Sequence, residues 1–469
     1  GNPPGYRLLL KGWIALCGTS EFAVRLPSAL LGTATIPLVG LLAWLLTRRT
    51  AAALAAALLL ALSPHHVYYS QEARAYALVV LLATGGTCLL IRALRDNRRR
   101  DWCGYAVLAA LGVYMHYQGF FVIVGQTLAT LTVLMLRRTP RAGWRAPVWA
   151  HVAIAAGVLP CLIAYLGRGL LASGVYPHWQ ERASWAAFRR LLGEWTVGVD
   201  WQYVLPALPL VIVVVGLIVL PGLLLVWLSR RHADPLPLAV AVVLYGGAGA
   251  FAALTSFRSL WHVKYLLAFQ PLFMVGLAAG LALLPRRWGR TGAGVSIVAT
   301  AGAALVLLPG LINLQRWPWR PDYAAAVEHI LTRDPQRAAP VYVLRFAYVS
   351  VDHYYAPADA PRALPTDLLA DTRGAPTDGT VVRALVTRNT PQIRTESHLP
   401  TFVAEVRAAA AAHVVVYVVL SESQLGEGWL EAVAALGEHL DQHEHHRAHR
   451  VHVLAYRARP VVPAEEPAG

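Results

Sequence analysis

The sequence predicts a mainly α, polytopic helical membrane protein that ends in a separate C-terminal α/β domain, and three observations carry that reading. Of its 469 residues, 57% are hydrophobic and only 14% charged, with a mean hydropathy of +0.48, whereas a soluble domain carries about 25% charge. Apolar windows long enough to cross a bilayer core of about 30 Å recur from Val24 almost to Asn313. Charge then divides the chain: residues 1–317 carry +19 and residues 318–469 carry −4, within a total of +15. This composition excludes a disordered chain and a simple cytosolic protein. A nucleic-acid partner is also excluded, because the Arg clusters punctuate apolar runs instead of lining an exposed face with aromatics between.

Ten spans are expected, at 24–46, 51–63, 76–94, 103–115, 119–136, 148–166, 204–228, 236–254, 266–284 and 292–313. The second and fourth are short and need tilt or added loop residues to cross. Loop charge tests the order, since alternate loops of a multi-pass protein carry the Arg excess on the cytoplasmic side. Arg48 and Arg49, Arg92 to Arg100, Arg137 to Arg145, Arg230 and Arg231, and Arg286 to Arg290 all fall on one side. The short loops opposite hold only Arg74, Arg258 and Lys264, and the longer loop 167–203 adds Arg168, Arg182, Arg189 and Arg190. Both chain ends are therefore expected outside.

The outward loops carry the polar and aromatic residues: PHHVYYSQEAR at 64–74, MHYQG at 115–119, the Trp-rich 167–203, and TSFRSLWHVKY at 255–265. Within the long loop, 183–195 has helical spacing that suits either an interfacial helix or a plain connector. Beyond Trp317 helix and strand patterns alternate: a helix in PDYAAAVEHIL, a strand in PVYVLRF, a helix in PTFVAEVRAAAAAH, a strand in VVVYVVL, a helix in GWLEAVAALGEHL and a strand in RVHVLAYR, while 356–400, rich in Pro, Asp, Thr and Gly, reads as loop, with VVRALVT either loop or strand. That alternation defines an α/β domain over 318–459, with 460–469 as a disordered tail.

The membrane half has just eight carboxylates, and Asp96, Asp101 and Asp234 fall on the Arg-rich side. The outward candidates are Glu21, Glu72, Glu181, Glu194 and Asp200. Glu72 stands out at a loop-to-helix junction beside Arg74, Tyr68, Tyr69 and Tyr76: a charge at the membrane edge is either functional or a helix cap. Arg258, His262 and Lys264 form a second cluster, able to neutralise a phosphate or simply to snorkel with Trp261 and Tyr265. His65, His66 and His116 also face outward, but no HxxH or HExxH spacing joins them. The run His439, His443, His445, His446, His449 and His452 reads as a solvated surface straddling a helix end and a loop. Cys17, Cys88, Cys103 and Cys161 form neither a disulfide framework nor a CxxC site.

The segments NPPGYRLLLKGWIALCGTSEFAVRLPSALLG and PHHVYYSQEARAYAL resemble the bacterial family 39 glycosyltransferases, relatives of protein O-mannosyltransferases and the lipid A aminoarabinose transferase within the GT-C superfamily. Looser similarity continues through WCGYAVLAALGVYMHYQGFFVI, WHVKYLLAFQPLFMVGLAAGL, WRPDYAAAVEHIL and VDHYY. The resemblance implies a GT-C-like domain over 1–317. It also implies transfer of a mannose-like sugar from a polyprenyl-phosphate donor to a protein or glycolipid acceptor of the cell envelope. Transfer would occur with inversion on the outer side of the bacterial inner membrane, with the C-terminal domain outside too.

By that resemblance Glu72 is the second-loop acid and takes the catalytic role. Arg74 holds the donor phosphate, together with Arg258, Lys264 and His262. Tyr69, Gln71, Tyr76, Asn2 and Glu21 belong to the substrate groove. Glu21, Arg25 and Pro27 also read as a charged helix start positioned by proline. The family's first-loop Asp and the helix before it would precede Gly1. Some relatives bind a divalent metal near that loop through residues not retained here, so a metal stays open and no cofactor is implied with certainty. Two other classes compete: a lipid-linked sugar flippase, which calls for polar residues within spans and a repeated half, and a non-catalytic scaffold.

Overall fold

The computed structural model describes residues 3–137, 141–165, 182–196, 227, 230, 234–257, 262–281, 284–316, 322–336, 339, 341–344, 382–385, 395–421, 428–448 and 451–459. The chain divides into two compact units, Gly1–Arg316 and Trp317–Gly469. Among the described residues seven helices are long and apolar enough to cross a membrane, or eight if one bent pair is a broken span. Nine of the ten expected windows fall on helices among the described residues. The window 204–228 lies outside the described residues, and 103–115 becomes a 17-residue helix with Arg99, Arg100 and Asp101 in its first turn.

The first unit opens with α1 (Gly5–Cys17), an amphipathic helix to which the sequence reading assigned no element. Leu8, Leu9 and Leu16 are exposed, as in a helix lying in the membrane interface. It is tied to α2 (Glu21–Thr47) by Tyr6 Oη and Ser28 Oγ, 3.0 Å apart, and by Trp13 Nε1 donating to the Ala23 carbonyl. Next, α3 (Thr50–Ala61) and α4 (Pro64–Ser70) meet at a 63° bend. Pro64 at the first helical position cannot continue α3, and Ser63 caps the new start by accepting from the His66 N–H.

The remaining helices are α5 (Tyr76–Asp96), α6 (Arg99–Met115), α7 (Gly119–Leu136), α8 (Arg145–Tyr165), α9 (Trp185–Thr196), α10 (Leu236–Phe257), α11 (Gln270–Leu281) and α12 (Leu284–Arg316). A 3₁₀ segment, Val263–Phe269, leads into α11. Where it joins α11, buried Gln270 donates from Nε2 to Ser63 Oγ at 2.8 Å, which pins this irregular turn to the α3–α4 bend. Gly125 lets α7 approach α10 closely: a Cβ there would lie 2.5 Å from the Val243 carbonyl oxygen.

Arginines close the helix ends on one side of the bundle. Arg95 donates to the Leu45 carbonyl at the end of α2, and Arg137 to the Leu94 carbonyl near the end of α5, each at 2.5 Å. These are carbonyls that a helix terminus leaves without intrahelical partners. The carboxylates here are paired as well: Asp101 with Arg92 at 3.1 Å, Asp234 with Arg137 at 3.5 Å and Asp96 with Arg98 at 3.8 Å.

The second unit holds a five-stranded sheet in the order β2-β1-β3-β5-β4, built from β1 (Val341–Leu344), β2 (Val382–Leu385), β3 (Val416–Ser421), β4 (Leu440–Ala448) and β5 (Val451–Ala458). β1 runs parallel to β2 and β3, and β5 antiparallel to β3 and β4. Alternate residues of β3 feed two cores. Tyr417 and Val419 pack with α13 (Tyr323–Arg333), while Val416, Val418 and Leu420 pack with residues of α14 (Thr395–Ala412) and α15 (Gly428–Gly437). A sheet buried on both faces explains the continuous apolar run.

β4 corrects the reading of the His-rich run as helix end and loop. LDQHEHHRA has weak strand character alone, and pairing with β5 supplies it. His452 is buried and shares a 2.8 Å contact with His445, and His446 stacks on His329. The expected tail at 460–469 lies outside the described residues.

α4 is seated on α2 at Gly32, whose carbonyl accepts from His66 Nε2 at 3.1 Å. A Cβ on Gly32 would lie 2.1 Å from Ser70 Oγ and 2.6 Å from Ser70 Cβ. Gly32→Ala is expected to destabilise the bundle by about 1–3 kcal/mol, read as a lowered thermal transition in detergent. An unchanged transition would show that α4 does not rest there.

Candidate functional site

Four segments remote in sequence meet at the end of the bundle opposite the capping arginines. They are α4 with the turn 71–75, the α6–α7 turn at His116, helix α9, and the 3₁₀ segment with its cap His262. A row of rings joins them, with neighbouring centroids 4.8 to 6.1 Å apart: His65, Tyr69, Tyr76, His116, Tyr265 and His262. Most of these contacts are edge-on or tilted, as aromatic quadrupoles prefer. Lys264 Nζ lies 5.5 Å from the Tyr265 ring centroid, within cation–π range. Arg74 is exposed but is hydrogen-bonded to Tyr76.

The charges act on one another. Glu72 lies within the electrostatic reach of Tyr6, Tyr69, Arg74, Tyr76 and Lys264. Neighbouring protein partly desolvates the exposed Arg74 and works against its charge, but Glu72 and Tyr76 hold its guanidinium protonated more firmly than usual. Burial pushes the Tyr6 hydroxyl up, and Glu72 adds to the shift against the hydrogen bond to Ser28. His116 is pulled down to about 3 by burial and then by Lys264 and Arg74; His262 is pulled down to about 3 by burial, Lys264, Arg190 and Arg74. Both rings are neutral at physiological pH. Each accepts a backbone N–H at Nδ1, His116 from Gln118 at 3.2 Å and His262 from Lys264 at 3.3 Å.

The structure thus brings together Glu72, Arg74, Tyr69, Tyr76, His262 and Lys264. Gln71 sits beside them as the exposed cap of α4. Glu21 is set differently: it is exposed in the first turn of α2, where it pairs with Arg25 behind the Ser20 cap. Asn2 and Arg258 lie outside the described residues. Among the described residues no three His, Cys, Asp or Glu side chains gather as metal ligands.

The sequence reading underweighted Glu194. The segment 183–195 does form a helix, and α9 packs its Ala187, Leu191 and Trp195 face into the bundle. Glu194 lies on that face, only 6% exposed, with Oε2 3.6 Å from Nδ1 of fully buried His65. A carboxylate at i+7 on an apolar i, i+4, i+8 stripe was the available signal.

This fold defines a class: a multi-pass membrane protein with a helical bundle followed by an α/β unit. Residues 1–166 match the family described as dolichyl-phosphate-mannose-protein mannosyltransferase. Two solved structures share the fold of the chain, ArnT from Cupriavidus metallidurans in the apo state and the same protein bound to undecaprenyl phosphate. Each is 15% identical with a TM-score of 0.55, covering 97% of this chain and 87% of that one. No curated protein sequence matches the chain. The resemblance read from the sequence is therefore matched by a family model over residues 1–166, and the likeness over the rest of the chain is one of fold.

Because folded His116 stays neutral down to about pH 3 while an unfolded His protonates near 6.5, the unfolded chain binds the extra proton between those values. Stability then falls as pH drops through that window. His116→Gln should flatten the loss of thermal stability between pH 7 and pH 4. A slope equal to that of the wild type would mean the ring titrates as if solvated.

Proposed function

We propose that the chain is an integral-membrane glycosyltransferase that moves a sugar, mannose-like, from a polyprenyl-phosphate donor to a cell-envelope acceptor on the extracytoplasmic side of the bacterial inner membrane, inverting the anomeric centre. The observation that carries this reading is the convergence of one half-buried carboxylate, Glu72, with Arg74 and Lys264 at a single end of the bundle. The ArnT fold, known with undecaprenyl phosphate bound, supports it. The scarcity of Arg in the loops at this end supports an extracytoplasmic placement, with the C-terminal unit on the same side.

The chemistry requires three things of the chain. Cations hold the phosphate and stabilise the charge that develops as it leaves, a role for Arg74 and Lys264, with Arg258 and His262 beside them in sequence. A base accepts the proton of the acceptor hydroxyl, a role for Glu72. The prenyl tail needs an apolar path in the bundle. Tyr69, Tyr76 and Gln71 stand where a sugar would meet the site.

Turnover of a polyprenyl-phosphate sugar by the purified chain is the test. Glu72→Gln should lower it by at least about 100-fold, while Arg74→Met and Lys264→Met raise KM for the donor. Undiminished turnover in Glu72→Gln would remove the base from this residue, and no turnover in the wild type with donor bound would favour the scaffold reading.

A further inference from the structure

Glu194 and His65 are two polar side chains turned toward each other inside the bundle, 3.6 Å apart. His65 has no hydrogen-bond partner on either ring nitrogen among the described residues. A satisfied core histidine donates or accepts, and a buried group that does neither calls for an explanation. Glu194 sits where helix packing alone would favour an apolar residue, beside Leu191 and Trp195. Its charge reaches Tyr69 and Lys264, and His65 lies edge-on to Tyr69.

We propose that Glu194 and His65 are positioning residues that act as a proton-sharing pair, matching the charge of the site to that of its phosphate ligand. The inference rests on the glycosyl-transfer reading. In that reaction the acceptor oxygen bonds to the sugar's C1, and the C1–O bond to phosphate breaks with its electron pair going to the phosphate oxygen. The acceptor proton passes to Glu72. A phosphodiester with one negative charge becomes a phosphate monoester that carries up to two, since its second pKa is about 6.

The added charge develops beside Arg74 and Lys264. The pair offsets it by taking one proton from solvent, leaving an imidazolium against the Glu194 carboxylate. The titratable and charged groups around the pair are His66, Tyr68 and Tyr69 on α4, Arg190 on α9, Tyr76 on α5, Glu72 and Arg74 in the turn, and His262, Lys264 and Tyr265 on the 3₁₀ side. The arginines among them attract the monoester but cannot take up a proton, whereas Lys264 can. Lys264, His116 and His262 are the competing proton acceptors.

Isothermal titration calorimetry of the whole chain in detergent, with undecaprenyl phosphate at pH 7.5 in two buffers of different ionisation enthalpy, reads the proton directly. The wild type should take up roughly half to one proton per phosphate bound. Glu194→Gln and, independently, His65→Asn should bind with near-zero uptake and with an affinity that no longer depends on pH above 7. Wild-type binding without uptake overturns the proposal, and so does uptake that persists in both variants, which would assign the proton to Lys264, His116 or His262. Failure of the wild type to bind undecaprenyl phosphate would overturn the donor reading itself, and this inference with it.

Discussion

Charge taken out of water has to be answered by charge or hydrogen bonds close at hand, and the arrangement of the bundle follows from how its two ends meet that demand. At one end arginines supply it. Asp96, Asp101 and Asp234 each meet an arginine, and Arg95 and Arg137 close the carbonyls of neighbouring helices. At the other end two carboxylates, Arg74, Lys264 and several neutral imidazoles share one neighbourhood of tyrosines. The first pattern holds helices in place. The second leaves ligand-sized chemistry among groups that interact without saturating one another.

The backbone around this second end is irregular wherever it carries the site. The α3–α4 bend, the His116 turn and the 3₁₀ segment each break a helix near membrane depth, and each break is tied down: Ser63 to Gln270, His66 to Gly32, His116 to the Gln118 N–H. Non-helical backbone is tolerated there because protein, not lipid, surrounds it. The breaks turn side chains at 65–76, 116 and 262–265 toward a common centre, which continuous helices would have spaced along their own faces.

Much of this was legible in the residues, for identifiable reasons. Long apolar windows announce spans by hydropathy alone, and Glu72 with Arg74 is conspicuous because charge is rare at a helix start in the membrane half. α1 escaped because an amphipathic helix interrupted by Arg7 and Lys11 falls below any hydropathy threshold, and β4 escaped because its polar residues need β5 beside them to form a strand. Glu194 and His65 are remote in sequence, so their pairing is a property of tertiary packing that no local pattern encodes. Glu21 shows the converse: a charge in a prominent motif whose partner, Arg25, lies one helical turn away.

The most direct test of the account is the structure of the whole chain determined with undecaprenyl phosphate. The account predicts a phosphate held between Arg74 and Lys264, within about 3–4 Å of both, with the tail leaving over apolar helix surface. A headgroup seated among the arginines at the opposite end, or one touching neither Arg74 nor Lys264, would contradict it.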